Sequence, residues 1–352
     1  MKAEAGGAAL PFRQWMQDAL FDPDSGYYTK HVRTVGGRGD FATSATTGSL
    51  LGEAIAGWLK KESSALPEVR AVIEVGGGDG SLSRQVRRSL GWWRRRKLRW
   101  HMVEASPVLR SQQEARVGRS AAVWHDSMKQ ALGAADGSAF IFHNELVDAF
   151  PVTLLQWNDQ DQSWREVWVL PKPGGAWTEE PRETQLTLHD LQSHGTLLPQ
   201  QWPPHALKDG QRVELHTSYR DWLQSWAPDW REGAMLTLDY GEAFPEVYRR
   251  RPRGTLRAYF MHQRLAGAEI YERMGRQDLT ADVNFSDLRH WGEELGWRRT
   301  TLETQAAFLQ RHVTDATARA VQDAAARFLL DGAGAGSAFK VLTQRPGPAA
   351  SV

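Results

Sequence analysis

The chain has 352 residues, 41% of them hydrophobic and 24% charged, with a formal net charge of +1 and no cysteine. That composition supplies a core, excludes disulfides, thiolate zinc sites and cysteine nucleophiles, and gives no global electrostatic case for nucleic-acid or membrane binding. No apolar run reaches membrane-spanning length and no secretory signal is evident, so a cytoplasmic protein of about two domains is expected.

In chain order, Pro11 opens a helix with Phe12, Trp15, Met16 and Leu20 on one face, and Asp22–Gly26 stops it ahead of Tyr27-Tyr28. Thr34–Thr47 reads as a Gly/Ser/Thr-rich loop leading to a helix over Leu50–Lys61. Ala71, Val72, Ile73 and Val75 then make a short, buried parallel strand. Gly76, Gly78 and Gly80 follow it at once, and a helix runs from Ser81 to Leu90. Arg87–Trp100 mixes basic and aromatic residues, a pattern shared with RNA-binding segments but read here as a solvated helix end. Further strands are expected at Lys97–Ala105, ending at Glu104; at Ala121–His125, ending at Asp126-Ser127; and at Ala139–His143, running into Asn144-Glu145.

Trp157–Gly210 breaks the alternation, with hairpin strands at Leu154–Trp157 and Glu166–Leu170, and is read as an insertion. The many tryptophans of Trp157–Trp177 and Trp202–Trp230 are assigned to packing or to an acceptor-site surface. Met235–Leu238 is a fifth strand, ending at Asp239-Tyr240-Gly241. An amphipathic helix over Phe285–Leu295 and an antiparallel pair, Arg298–Thr304 with Phe339–Gln344, complete the pattern.

The strand–glycine loop–helix at Ala71–Leu82 (A-V-I-E-V-G-G-G-D-G-S-L) carries the chemistry. Without a Cβ the loop backbone turns sharply and comes close to a ligand facing the free N–H groups of the helix. A dinucleotide fingerprint needs a third glycine three residues after the second, where this chain has Ser81. What remains, G-x-G-x-G after an in-strand Glu74, resembles motif I of class I S-adenosylmethionine-dependent methyltransferases. Glu104, at the tip of the next strand, stands where such folds hold ribose hydroxyls.

Several blocks resemble the MidA-like methyltransferases, a family whose mitochondrial member is the arginine methyltransferase of respiratory complex I assembly. They are Asp24–Tyr28 with Gly39–Ser44; Glu74–Leu82; Asn144-Glu145 with Asp148–Val152; Asp239–Gly241; Gly254–Tyr259 with His262; and Asp278–Phe285. The chain departs from the family at Gly77 and Asp79, where Pro and Arg are usual. It also reads Ala45-Thr46-Thr47-Gly48 in place of Pro-Glu-Ile-Ser, so Thr46 replaces a carboxylate, and Gln305–Leu309 lacks the usual glycine.

The resemblance implies an α/β class I Rossmann-like fold with a seven-stranded, mostly parallel sheet and helices on both faces. Residues 1–65 are expected to form a helical extension or lid, 66–152 and 233–345 the core, 153–232 an inserted acceptor-binding region and 346–352 a disordered tail. S-adenosylmethionine is the expected cofactor, held by Glu74, Gly76, Gly77, Gly78, Gly80, Glu104, Ala105, Asn144 and, at the adenine, Asp126 and Ser127.

For the acceptor, Glu145 after the fourth strand is the first choice of base or charge partner. Asp148 is a second choice, or else a cap of the following helix, and His262 a third, or else a structural residue. The acceptor is a protein arginine by resemblance, or a small molecule; a non-catalytic assembly factor is the remaining alternative. No metal, nucleic acid or membrane partner is expected, and homodimerisation is left open.

Overall fold

The computed structural model describes residues 8–31, 48–173, 176–184, 186–187, 193–261 and 263–347. Ala71–Val75 is buried at every position and forms strand β1. Arg99–Val103 is β2, Val123–His125 β3, Ser138–Asn144 β4, Glu232–Glu242 β5, Arg298–Thr304 β6 and Phe339–Arg345 β7. Their order across the sheet is β3-β2-β1-β4-β5-β7-β6. All pairs up to β5 are parallel, and β7 runs antiparallel to both β5 and β6. This is the expected class I fold, including the terminal antiparallel pair.

Several boundaries differ from the sequence reading. β2 starts at Arg99 because Trp92–Lys97 forms a short helix of its own, in which no residue is buried. β5 is longer than its apolar core, running on through Asp239 to Glu242. The helix after the glycine loop is Ser81–Ser89, here α2, and the one before β1 is Leu50–Ala65, here α1.

The chain divides into two compact units, each assembled from three stretches. One holds 33–146, 222–240 and 292–352; the other holds 1–32, 147–221 and 241–291. The first contains β1 to β7 except the last two residues of β5. One face of its sheet is covered by α1 and α2 and by helices between Gln305 and Leu330; Leu51, Ile55, Trp58, Trp100, Phe140, Phe142, Leu236, Phe308 and Leu329 share that core.

The second unit is built on antiparallel strands. Thr153–Asn158 pairs with Ser163–Pro171 and Arg212–Leu215, while Trp177–Glu183 and Leu10–Pro11 flank Ser163–Pro171. Trp157, Trp164 and Trp202 pack with Val213, Leu215 and Tyr248 in its core, which assigns these tryptophans to packing. Helix Phe12–Phe21 buries Phe12, Trp15, Met16 and Leu20, and Trp15 lies against Tyr271 at 4.9 Å between ring centroids.

Two expected boundaries therefore fall differently. Residues 1–65 are not one extension, because Phe12–Phe21 belongs to one unit and Leu50–Ala65 to the core of the other. The unit that holds the expected insertion also takes in 241–291. The Thr34–Thr47 loop, with Gly39–Ser44 and Thr46, lies outside the described residues, as does most of the expected tail.

Phe140 on β4 is fully buried at the centre of the sheet's packed face. Phe140→Ala is expected to cost ~3–5 kcal/mol through lost transfer energy and the cavity left behind. Urea unfolding of the whole chain measures it; a loss below 1 kcal/mol, roughly the cost of one methylene, would mean that this face is loosely packed.

Candidate active site

β1 and β4 are adjacent, yet the chain leaves β1 toward β2 and leaves β4 toward β5. At such a switch point the connections diverge and leave a crevice beyond the carboxyl ends of the strands, where open α/β sheets bind ligands. The glycine loop follows β1 at this place, and Asn144 ends β4 with Glu145 just after it.

The loop is tightly supported. Gly76 has φ +63°, and a Cβ there would lie 2.7 Å from Leu146 Cδ1. A Cβ on Gly77 would meet the Glu74 carboxyl and the Met102 methyl, both at 2.9 Å. Glu74 thus lies beneath the loop, only 1% exposed, and accepts a hydrogen bond from Ser83 Oγ, which itself accepts one from Trp100 Nε1 at 2.8 Å. Burial, with the charges of Glu104 and Asp79 added, pushes the Glu74 pKa up to about 7 against the pull of Ser83.

At the N-terminus of α2, Asp79 Oδ1 accepts from Ser81 N at 2.9 Å, and Oδ2 is bonded by Arg116. A carboxylate therefore already occupies the place where a dinucleotide would set its pyrophosphate.

Glu104 follows the last residue of β2 and is 9% exposed. Its Oε1 accepts from Ser106 N and its Oε2 from Gln113 Nε2, both at 2.9 Å. The Ala105 N–H bonds this carboxylate as well, which leaves one of its roughly four lone-pair sites for a ribose hydroxyl. Burial raises its pKa, opposed by those hydrogen bonds. Gln113 Nε2 also donates to Gly78 O at 2.9 Å, so one amide ties the glycine loop to the β2 tip. Gln113 escapes a motif search; its sign is a polar residue four positions after Leu109 on the buried face of helix Pro107–Val117.

The other expected cofactor residues take varied positions. Ala105 is exposed beside Glu104. The Asp126 side chain is 74% exposed and paired with Arg110 at 3.1 Å. Ser127 Oγ accepts from Gln130 N at 3.3 Å and caps helix Met128–Ala134. Asn144 Nδ2 donates to Glu145 Oε1 at 3.0 Å.

Glu145 has φ +52°, a left-handed conformation costly for a side chain of this kind. It is imposed because Glu145 N donates to Leu238 O at 2.9 Å, and Leu146 N to Asp239 Oδ2 at 3.2 Å. His143 anchors the same edge, sharing a 3.1 Å hydrogen bond with Thr237 on β5, and burial lowers its pKa to about 3, so it is neutral.

Asp148 belongs to the other unit. No helix follows it, since the next element is strand Thr153–Asn158, so the capping alternative fails. Its Oδ2 accepts from Thr280 Oγ1 at 2.8 Å and its carbonyl from Ala281 N at 3.1 Å. Nearby, Tyr28 O–H donates to Asp278 Oδ1 at 2.8 Å. Burial, and then the Asp148 charge, raise the Asp278 pKa to about 7. Arg257 pairs with Asp282 at 2.5 Å, whose N–H donates to Thr255 Oγ1 at 2.9 Å. Thr255 in turn bonds the fully buried Glu214, a residue that no motif picks out. Tyr28, Asp148, Gly254–Arg257 and Asp278–Asp282, read as separate motifs, are thus one hydrogen-bonded network. His262 lies outside the described residues, among which no group of three or more His, Cys, Asp or Glu is placed to hold a metal. Among the described residues no helix is long and apolar enough to cross a membrane.

A glycine cradle backed by carboxyl groups, with a diol acceptor one strand away, fits a cationic nucleoside such as S-adenosylmethionine and disfavours a dinucleotide. Sheet order and crevice define an S-adenosylmethionine-dependent methyltransferase. Residues 50–302 match the model of an S-adenosyl-L-methionine-dependent methyltransferase family, and the chain belongs to that MidA-like family.

It is 28% identical over 325 residues to the mitochondrial protein arginine methyltransferase NDUFAF7 homolog of Drosophila melanogaster, covering 82% of this chain and 67% of that protein. It is 27% identical over 305 residues to mitochondrial NDUFAF7 of Danio rerio, covering 78% and 67%. A crystal structure of a Burkholderia thailandensis protein bound to S-adenosyl-homocysteine superposes with a TM-score of 0.82 at 23% identity, over 97% of this chain and 89% of that one.

Glu104→Gln keeps the size and weakens charge-assisted bonds to a diol, so cofactor affinity is expected to fall by roughly 1.5–3 kcal/mol. Calorimetric titration with S-adenosylmethionine reads this directly, and an unchanged affinity would return Glu104 to a purely structural role.

Glu74 gives a pH signature. Its folded pKa of about 7 lies above the ordinary 4.5, so its contribution to stability is full below about 4.5 and is lost as pH rises through about 7. Relative to Glu74→Gln, the parent should lose on the order of 3 kcal/mol across that window, at ~1.4 kcal/mol per tenfold difference in proton affinity. Parallel denaturation curves at acid and alkaline pH check it; a constant difference between the two proteins would show that Glu74 titrates alike in the folded and the unfolded chain.

Proposed function

We propose that the chain transfers a methyl group to an arginine side chain of a protein. The observation that carries this reading is Glu145, held in the left-handed conformation at the carboxyl end of β4, beside the switch point to which the methyl donor is assigned in this reading. S-adenosylmethionine supplies, when bound, a methyl group already activated by its sulfonium. The protein's work is then alignment, exclusion of water and management of charge.

A guanidinium stays protonated at neutral pH and carries its donors in a rigid plane, so it needs a carboxylate both to orient it and to take a proton. Glu145 has that chemistry, and Asn144 Nδ2, 3.0 Å from its Oε1, fixes the carboxylate's orientation. The names of the relatives support the same acceptor, as arginine methyltransferases.

Incubation with a tritium-labelled methyl donor and arginine-containing protein extracts, followed by acid hydrolysis, identifies the labelled residue. Methylarginine is expected; label confined to small molecules would overturn the reading. Glu145→Gln should bind the donor nearly as well as the parent yet transfer methyl groups at least about 100-fold more slowly, within the range for loss of an acid–base group. Equal rates for the two proteins would remove Glu145 from the mechanism.

A further inference from the structure

Between Gly80 and Val103 the chain carries eight basic residues and no acidic one, although its net charge is only +1. Their centre is the short helix Trp92–Lys97, W-W-R-R-R-K, in which every residue is exposed, as is Gly91 before it. Trp92 is 49% and Trp93 74% exposed. Their rings meet edge to face with centroids 4.5 Å apart, and the Arg96 guanidinium lies 4.2 Å from the centre of the Trp92 ring. Among the described residues none of the four cations of this helix is in an ion pair. Arg95 is close enough to Arg87 to add to burial in lowering its pKa. Two adjacent indoles left in water amid uncompensated charge mark an interaction surface, since such aromatics are ordinarily covered.

We propose that this helix docks the protein on the surface of an anionic phospholipid bilayer. Tryptophan favours the headgroup layer, where its ring is in an apolar setting and its N–H stays hydrated. Arginine and lysine beside it pair with lipid phosphates while their stems cover apolar surface. The shape separates this occupant from single-stranded nucleic acid. Base-stacking platforms line grooves that track a backbone, whereas seven consecutive exposed residues form a projection, suited to a flat partner, and Arg96 already covers part of the Trp92 ring. The helix precedes the first residue of β2, whereas the glycine loop and Glu104 follow the last residues of β1 and β2. A bilayer bound at the amino end of the sheet therefore leaves the carboxyl-end crevice open.

The test is co-sedimentation of the full chain with vesicles of phosphatidylcholine alone and of phosphatidylcholine mixed with phosphatidylglycerol, at low and high salt. Binding to the mixed vesicles alone is expected, weakening as salt rises and accompanied by a blue shift of tryptophan emission. Replacing Arg94, Arg95 and Arg96 together by Gln should reduce it roughly 100-fold, about five-fold per cation. Trp92→Ser with Trp93→Ser should abolish the blue shift at a circular dichroism spectrum equal to the parent's. Sedimentation with neither vesicle, equal sedimentation with both, or retention of binding by the triple variant would overturn the proposal. So would tight binding of oligo-dT by a protein that ignores the mixed vesicles.

Discussion

The parallel pairing of β1 with β4 is the constraint on which the cofactor-binding unit depends. Ala71–Glu74 run beside Ala139–Phe142, and from that seam the chain departs in opposite directions. The crevice is a by-product of topology; the residues around it are a response to it. Glu145 shows this most clearly. Its backbone N–H continues the β4–β5 ladder by one further bond, and the price is a left-handed residue without glycine's freedom. Strain of this kind is on the order of 1–3 kcal/mol and persists only where neighbouring bonds over-determine it. Here they do, through Leu238, Asp239 and the His143–Thr237 bond.

Carboxyl groups serve two purposes in this molecule, and burial separates them. Glu74 and Glu214 face inward, each satisfied by hydrogen bonds from its own chain, and both are shifted toward their neutral forms. Glu74 props the glycine loop from below; Glu214 gathers the Thr255–Leu256 turn. Glu145 stands instead at the end of a strand. The sequence already sets Glu74 inside a strand and Glu145 just after one; the structure adds that Glu74 is buried whereas Glu145 is half-buried.

The parts legible in the sequence were those governed by neighbours in the chain. β1 and its loop announce themselves because a run of buried residues meets glycines, and α2 because its apolar positions recur at helical spacing. The antiparallel pair at the far edge, β6 with β7, is the exception, expected although four helices separate the two strands in the chain. What could not be read was partnership at a distance. Asp148 meets Thr280, Arg257 meets Asp282 and Tyr28 meets Asp278, each pairing set by the folding of the second unit. The short helix Trp92–Lys97 was hidden by its lack of any buried face, since periodicity reports burial and that segment has none.

The interleaving of the two units bears on how the protein is made. β4 emerges from the ribosome long before β5, and between them the chain must lay down the strands of a different unit. Until Glu232 and the residues after it arrive, the β5-facing edge of β4 has no partner; β7, which lies between β5 and β6, arrives later still. An open, apolar strand edge in a nascent chain is a template for wrong pairing. The hydrogen-bond ladder that holds Glu145 in place is therefore among the last features of the molecule to form. A half-made chain is exposed to aggregation before it has acquired a complete crevice.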